Sequence, residues 1–109
     1  NGCWNNSNSR FTPNVAGYYQ IQFTLAISTG SLRAGRAAIY KNGGRWVLTE
    51  LYNNPDDNYD DFCTQVCTLL YLNGSTDYVE FYAWRNGGSG TVGGTSEHCQ
   101  ASGFLARQA

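Results

Sequence analysis

The densest chemistry in this 109-residue chain lies in the run Asn53-Asn54-Pro55-Asp56-Asp57-Asn58-Tyr59-Asp60-Asp61, which places four carboxylates within nine residues. Paired carboxylates can cleave a glycosidic bond, but only when held about 5–9 Å apart across a cleft, with one of them in an apolar pocket. A proline-led polar segment offers no such pocket. A hard cation fits better. Asp56, Asp57, Asp60 and Asp61, interleaved with asparagines, supply the oxygen ligands calcium prefers, without the spacing of a helix-loop-helix calcium site. The expectation is therefore no required cofactor, with calcium as a weak candidate ion at these four residues. The competing reading is a solvated acidic loop that keeps the domain soluble.

Nucleophilic chemistry has less support. The one histidine, His98, is flanked by Glu97 and Cys99. Neighbours in an extended strand point to opposite faces, so this dipeptide cannot form a Cys–His pair. No enzyme is expected. Cys63 and Cys67 stand four residues apart, about 13 Å along a strand, whereas a disulfide needs Cα atoms within about 7 Å. Their spacing also differs from the Cys-x-x-Cys pairs of zinc sites. Two bridges joining them to Cys3 and Cys99 would suit a secreted protein, and four thiols would suit one assembled in a reducing cytoplasm.

Recognition chemistry is better represented. Trp4 lies among Asn5, Asn6 and Asn8, Tyr52 and Tyr59 flank the Asp/Asn cluster, and Trp84, Arg85 and Asn86 precede a glycine-rich stretch. Flat aromatic faces beside amides and charged groups are what sugars require, ring faces for stacking and planar polar groups for hydroxyls. Trp4, Tyr52, Tyr59, Trp84, Arg85 and Asn86 are the candidate ligand-binding residues.

These residues must be positioned by strands. Thirteen Gly, three Trp, eight Tyr, five Phe and no Met, with Tyr, Phe, Thr and Val in short runs, make an all-β composition. No stretch sustains the three-to-four spacing of an amphipathic helix. Strands are predicted over 11–12, 17–29, 36–40, 45–52, 62–72, 78–85 and 100–107, with 87–96 as a loop. Asn42-Gly43-Gly44 signals a hairpin and Asn73-Gly74-Ser75-Thr76 a second turn. The length suits one domain, residues 1–109, able to bury about two-thirds of its unfolded surface.

In residues 17–28, Tyr19, Ile21, Phe23, Leu25 and Ile27 share one apolar face, while Tyr18, Gln20, Gln22, Thr24 and Ala26 form a polar face without a single charge. The strand over 62–72 is also uncharged. The charges gather instead on Arg36, Lys41, Arg45, Glu50, Asp77, Glu80 and Arg85. Solvated sheet faces collect Lys and Glu, whereas subunit interfaces deplete charge and keep Tyr. The uncharged strands are therefore expected in one sheet that packs against copies of itself. Substituting Gln22 by Glu should weaken that assembly far more than the same charge at Thr49. A net charge of −1 with seven Lys plus Arg, none clustered, argues against nucleic acid and anionic membranes as partners. No apolar run approaches the ~20 residues of a membrane span.

The segments "RFTPNVAGYYQIQF", "AAIYKNGG", "YLNGSTDYVEFYAW" and "ASGFLARQ" resemble the globular head of complement component 1q and its tumour-necrosis-factor-like relatives. In wording they are most similar to versions at the ends of bacteriophage tail fibres. The resemblance implies a two-sheet antiparallel jelly roll assembling as a homotrimer, with one sheet facing the three-fold axis. By position, Tyr18, Gln20, Gln22, Tyr71 and Leu105 would serve that interface or the core. Little precedes "CWNNSNSRF", so the family's first strand is expected to be short or absent. The implied function is a non-enzymatic adhesin: the C-terminal, receptor-binding tip of a tail fibre, assembled in the host cytoplasm into the virion and contacting a bacterial surface glycan or outer-membrane receptor. Two alternatives are a trimerisation foldon that only registers a fibre and a secreted complement-like binding or signalling head.

Overall fold

Alternation of apolar and polar side chains, punctuated by Gly and Asn, builds nine strands among the described residues of a computed structural model, which describes residues 3–30, 34–52, 61–87, 89–92 and 99–109. In chain order they are β1 (Trp4–Asn5), β2 (Arg10–Phe11), β3 (Gly17–Gly30), β4 (Ala34–Lys41), β5 (Gly44–Tyr52), β6 (Asp61–Leu72), β7 (Val79–Asn86), β8 (Ser89–Val92) and β9 (Gln100–Gln108). The chain is all-β and forms two antiparallel sheets packed as a β-sandwich. Sheet A runs β1-β2-β7-β4-β5; in sheet B, β3 pairs with β6 on one side and with β8 and β9 on the other.

The core lies where the sequence pattern puts it. Tyr19, Ile21, Leu25 and Ile27 of β3 are buried, with Phe23 partly covered. They meet Ala37 and Ile39 of β4, Val66, Leu70 and Leu72 of β6, and Val79 of β7. Removing such side chains from water supplies the main driving force, about 25 cal/mol per Å² of apolar surface.

Two strands escaped the sequence reading. The Gly/Ser/Thr-rich stretch expected as a loop contains β8, which pairs with the last four residues of β3, Ile27↔Val92 to Gly30↔Ser89. Backbone pairing there needs no side-chain pattern, so none was visible. β1 is two residues long and pairs with β2 through Trp4↔Phe11.

The β4–β5 hairpin turns at Asn42 and Gly43 with φ of 52° and 78°. That left-handed pair suits the right-handed twist of the flanking strands and favours this Asn-Gly sequence. At the second turn, the side-chain Oδ1 of Asn73 accepts from the backbone N–H groups of Ser75, Thr76 and Asp77 at 2.9–3.0 Å.

Candidate functional site

The two outer faces of the sandwich differ in kind. On sheet B the register sets Leu69, Gln20 and Phe104 in one row, Tyr71, Tyr18 and Arg107 in the next, and Cys67, Gln22 and Ser102 in another. Cross-strand partners share a face, so these side chains form one surface. Phe104 is 63% exposed, Leu69 54%, Tyr18 44% and Tyr71 39%. The Tyr18 and Tyr71 rings meet edge to face with centroids 5.6 Å apart. The Gln20 amide donates to the Cys67 sulfur at 3.3 Å. Charge enters sheet B only near strand ends, at Asp61 and Arg107.

Of the expected interface residues, Tyr18, Gln20, Gln22 and Tyr71 lie on one outer face, but Leu105 does not: it pairs with Tyr19 on the core side. The residue facing outward is Phe104, opposite Gln20. Alternation showed that Phe104 and Leu105 point oppositely, but only the register with β3, shifted by an irregularity at Tyr18/Tyr19, decides which one faces the core. Thr49 also belongs elsewhere. It pairs with the core residue Ala37 and accepts a hydrogen bond from the Thr64 hydroxyl at 3.4 Å between the sheets, so it is no neutral control position.

Sheet A carries the ion pairs: Arg10 with Glu80 at 2.9 Å, Arg36 with Glu50, and Lys41 with Asp77 at 3.3 Å. The Asn42 amide, foremost, holds the Asp77 carboxyl below its ordinary range; burial opposes this, and the Asn73 N–H and Lys41 add to it. Burial pushes the Glu50 carboxyl up, but hydrogen bonds from Arg36 and Tyr52 and the Arg36 charge leave it below its ordinary value.

The expected ligand-binding residues do not converge. Trp4 packs against Phe81 with centroids 6.2 Å apart and, with Phe11, Ile21, Phe81 and Gly103, lines an apolar gap of about 430 Å³ between the sheets. Trp84 lies on the opposite, outer face of sheet A, opposite Arg36, whose guanidinium stacks 4.2 Å over the indole. Arg85 and Asn86 belong to β7 itself, where Arg85 alternates away from Trp84 and donates to the Gly87 carbonyl at 3.3 Å. Tyr52 closes β5 and is 70% exposed. Tyr59, Asp56, Asp57, Asp60 and His98 lie outside the described residues, and Asp61 opens β6 opposite Ser28. Among the described residues no three His, Cys, Asp or Glu side chains come together as a metal site.

Sequence reasoning missed a groove on the outer face of sheet A. Arg36, Ala38, Tyr40, Arg45, Tyr82 and Trp84 surround a cleft of about 200 Å³, drawn from three strands whose mutual register is not written in the sequence.

The thiols of Cys63 and Cys67 are free and exposed. The Cys99 sulfur, half-buried, accepts from the Ala26 N–H and donates to the Ala26 carbonyl, both at 3.4 Å. No family model and no curated protein matches the chain.

Proposed function

We propose that this domain is a non-enzymatic, homotrimeric binding head: a jelly roll of the complement 1q and tumour-necrosis-factor type, placed at the receptor-binding tip of a bacteriophage tail fibre. The observation that carries the reading is the outer face of sheet B, where Tyr18, Leu69, Tyr71 and Phe104 stand exposed beside uncharged Gln20 and Gln22. A contiguous apolar and aromatic patch on one face of a small protein marks an interaction surface. Tyr and Gln can satisfy their polar groups across a three-fold axis, whereas identical charges brought there would repel. Strand order supports the jelly roll: β2 and β3, β3 and β4, β5 and β6, and β6 and β7 each cross from one sheet to the other.

Three copies on one rigid body make weak contacts useful, because linked sites raise avidity by about a hundredfold or more. The carboxylates Asp56, Asp57, Asp60 and Asp61 are proposed as a weak calcium site, supported by a rise in melting temperature when calcium is added to chelator-treated protein and removed by no shift. The head itself is tested by light scattering, fluorescent labelling of bacteria and competition with phage adsorption. A trimer that labels host cells and blocks adsorption supports the proposal. A monomeric mass at micromolar concentration overturns the assembly, and a trimer that labels no host in a broad panel leaves a fibre-registering foldon instead.

A further inference from the structure

We infer that the outer face of sheet A holds a groove for a saccharide bearing a carboxylate, such as a uronic acid unit of a surface polysaccharide; the inference rests on the binding-head reading and gives it a site. The floor is Ala38, which pairs with Leu48 on one side and Tyr82 on the other. Its side chain ends at Cβ, so the aromatic neighbours stand above it as walls. Tyr40 and Tyr82 rings lie 4.4 Å apart between centroids, and Trp84 stands across from Arg36 one row along.

These rings are not consumed by packing, since Tyr82 is 48% and Trp84 44% exposed. The hydroxyls of Tyr40 and Tyr82 make no hydrogen bond to another described residue, leaving a donor and acceptor at each for sugar hydroxyls. At about 200 Å³ the cleft is smaller than the ~300–1,000 Å³ of drug-sized sites, which suits a single ring.

Charge selects the ligand. The two carboxylates on this face are already engaged, Glu50 by Arg36 and Glu80 by Arg10 at 2.9 Å. Arg45, opposite Tyr40, lines the groove with no acidic partner among the described residues. Its planar guanidinium is suited to a carboxylate held through two parallel hydrogen bonds. A sugar with one apolar face on Tyr82 and an acid group toward Arg45 meets both requirements.

The test is a titration of the isotope-labelled 109-residue protein with methyl β-glucuronide, methyl β-glucoside and glucose 6-phosphate, followed by nuclear magnetic resonance. The glucuronide should shift the Ala38 and Tyr82 amides and the Trp84 indole N–H, and the glucoside should do so only weakly. Arg45→Gln should lower glucuronide affinity about tenfold, as expected for a lost charge-assisted hydrogen bond. Tyr82→Ala should abolish the response while the amide spectrum stays dispersed as in the folded protein, and Tyr82→Phe, which keeps the ring and loses only the hydroxyl, should weaken affinity severalfold. Shifts elsewhere, equal responses to glucuronide and glucoside, or a stronger response to the phosphate would overturn the inference. Cell labelling is scored separately. Glucuronide shifts without any labelled cell would sink the adhesin reading alone, whereas Arg45→Gln protein that labels cells undiminished would overturn the groove's part in adhesion.

Discussion

Asn42 closes one turn and anchors another. Its backbone, with Gly43, makes the β4–β5 hairpin, while its side chain donates to Asp77 at 2.7 Å and accepts from the Tyr78 N–H at 2.9 Å. Replacing Asn42 by Ala strands the Tyr78 N–H and removes one of the donors to the Asp77 carboxylate, which keeps Lys41 and the Asn73 N–H; it should cost about 1–3 kcal/mol in urea unfolding, against about 1 kcal/mol for Gly43→Ala, whose penalty is the left-handed backbone alone. Asp77 adds a pH dependence. Its folded-state pKa is lowered, so its contribution is complete above the ordinary aspartate value and disappears as pH falls through that value toward the folded one. Stability of the native protein should therefore drop more steeply below about pH 4 than that of Asp77→Asn, as measured by melting temperature across acidic buffers. The Asn-Gly turn is readable from two letters. Its lock onto Asp77 is not, because the two residues meet only after β4 and β7 pair.

β3 organises the element scale. From Tyr18 to Ile27 its side chains alternate between the uncharged outer face and the core, a division visible in the sequence alone. Its partners were harder to read. Gly103 sits opposite Ile21, where an added Cβ would come within 2.5 Å of the Ile21 Cδ1 and 2.8 Å of the Gln20 carbonyl, so Gly103→Val should loosen β9 at a cost of about 1–3 kcal/mol. Nothing in "ASGFL" states that register. The same face supplies a chemical probe in Cys67, exposed opposite Gln22 and accepting a hydrogen bond from the Gln20 amide. If sheet B is the subunit interface, maleimide should label Cys67 readily in diluted, dissociated protein and slowly in the assembled one, whereas equal rates would place the contact elsewhere. Trp84 was legible as an aromatic beside polar residues, but Arg36, Tyr40, Arg45 and Tyr82 join it from a register that no local pattern contains.

At the scale of the whole molecule, the sorting of charge by strand becomes a sorting by face: ion pairs and an arginine-lined groove on sheet A, an uncharged aromatic surface on sheet B. Gln22→Glu should shift the light-scattering mass toward monomer at micromolar concentration, while Val15→Glu, at an exposed position outside both sheets, should leave it unchanged. The domain is elongated, 49 Å by 22 Å by 22 Å, along strands of up to fourteen residues. β3 receives β9 as a neighbour through Gly17↔Gln108 to Thr24↔Gln100, so the surface that carries Phe104 is finished only once β9 has been made, after β3 and β6. At roughly 5–20 residues per second of synthesis, β3 and β6 wait seconds on the ribosome for that strand. If sheet B is the subunit interface, a nascent chain without β9 lacks Phe104 and cannot yet present the whole contact surface.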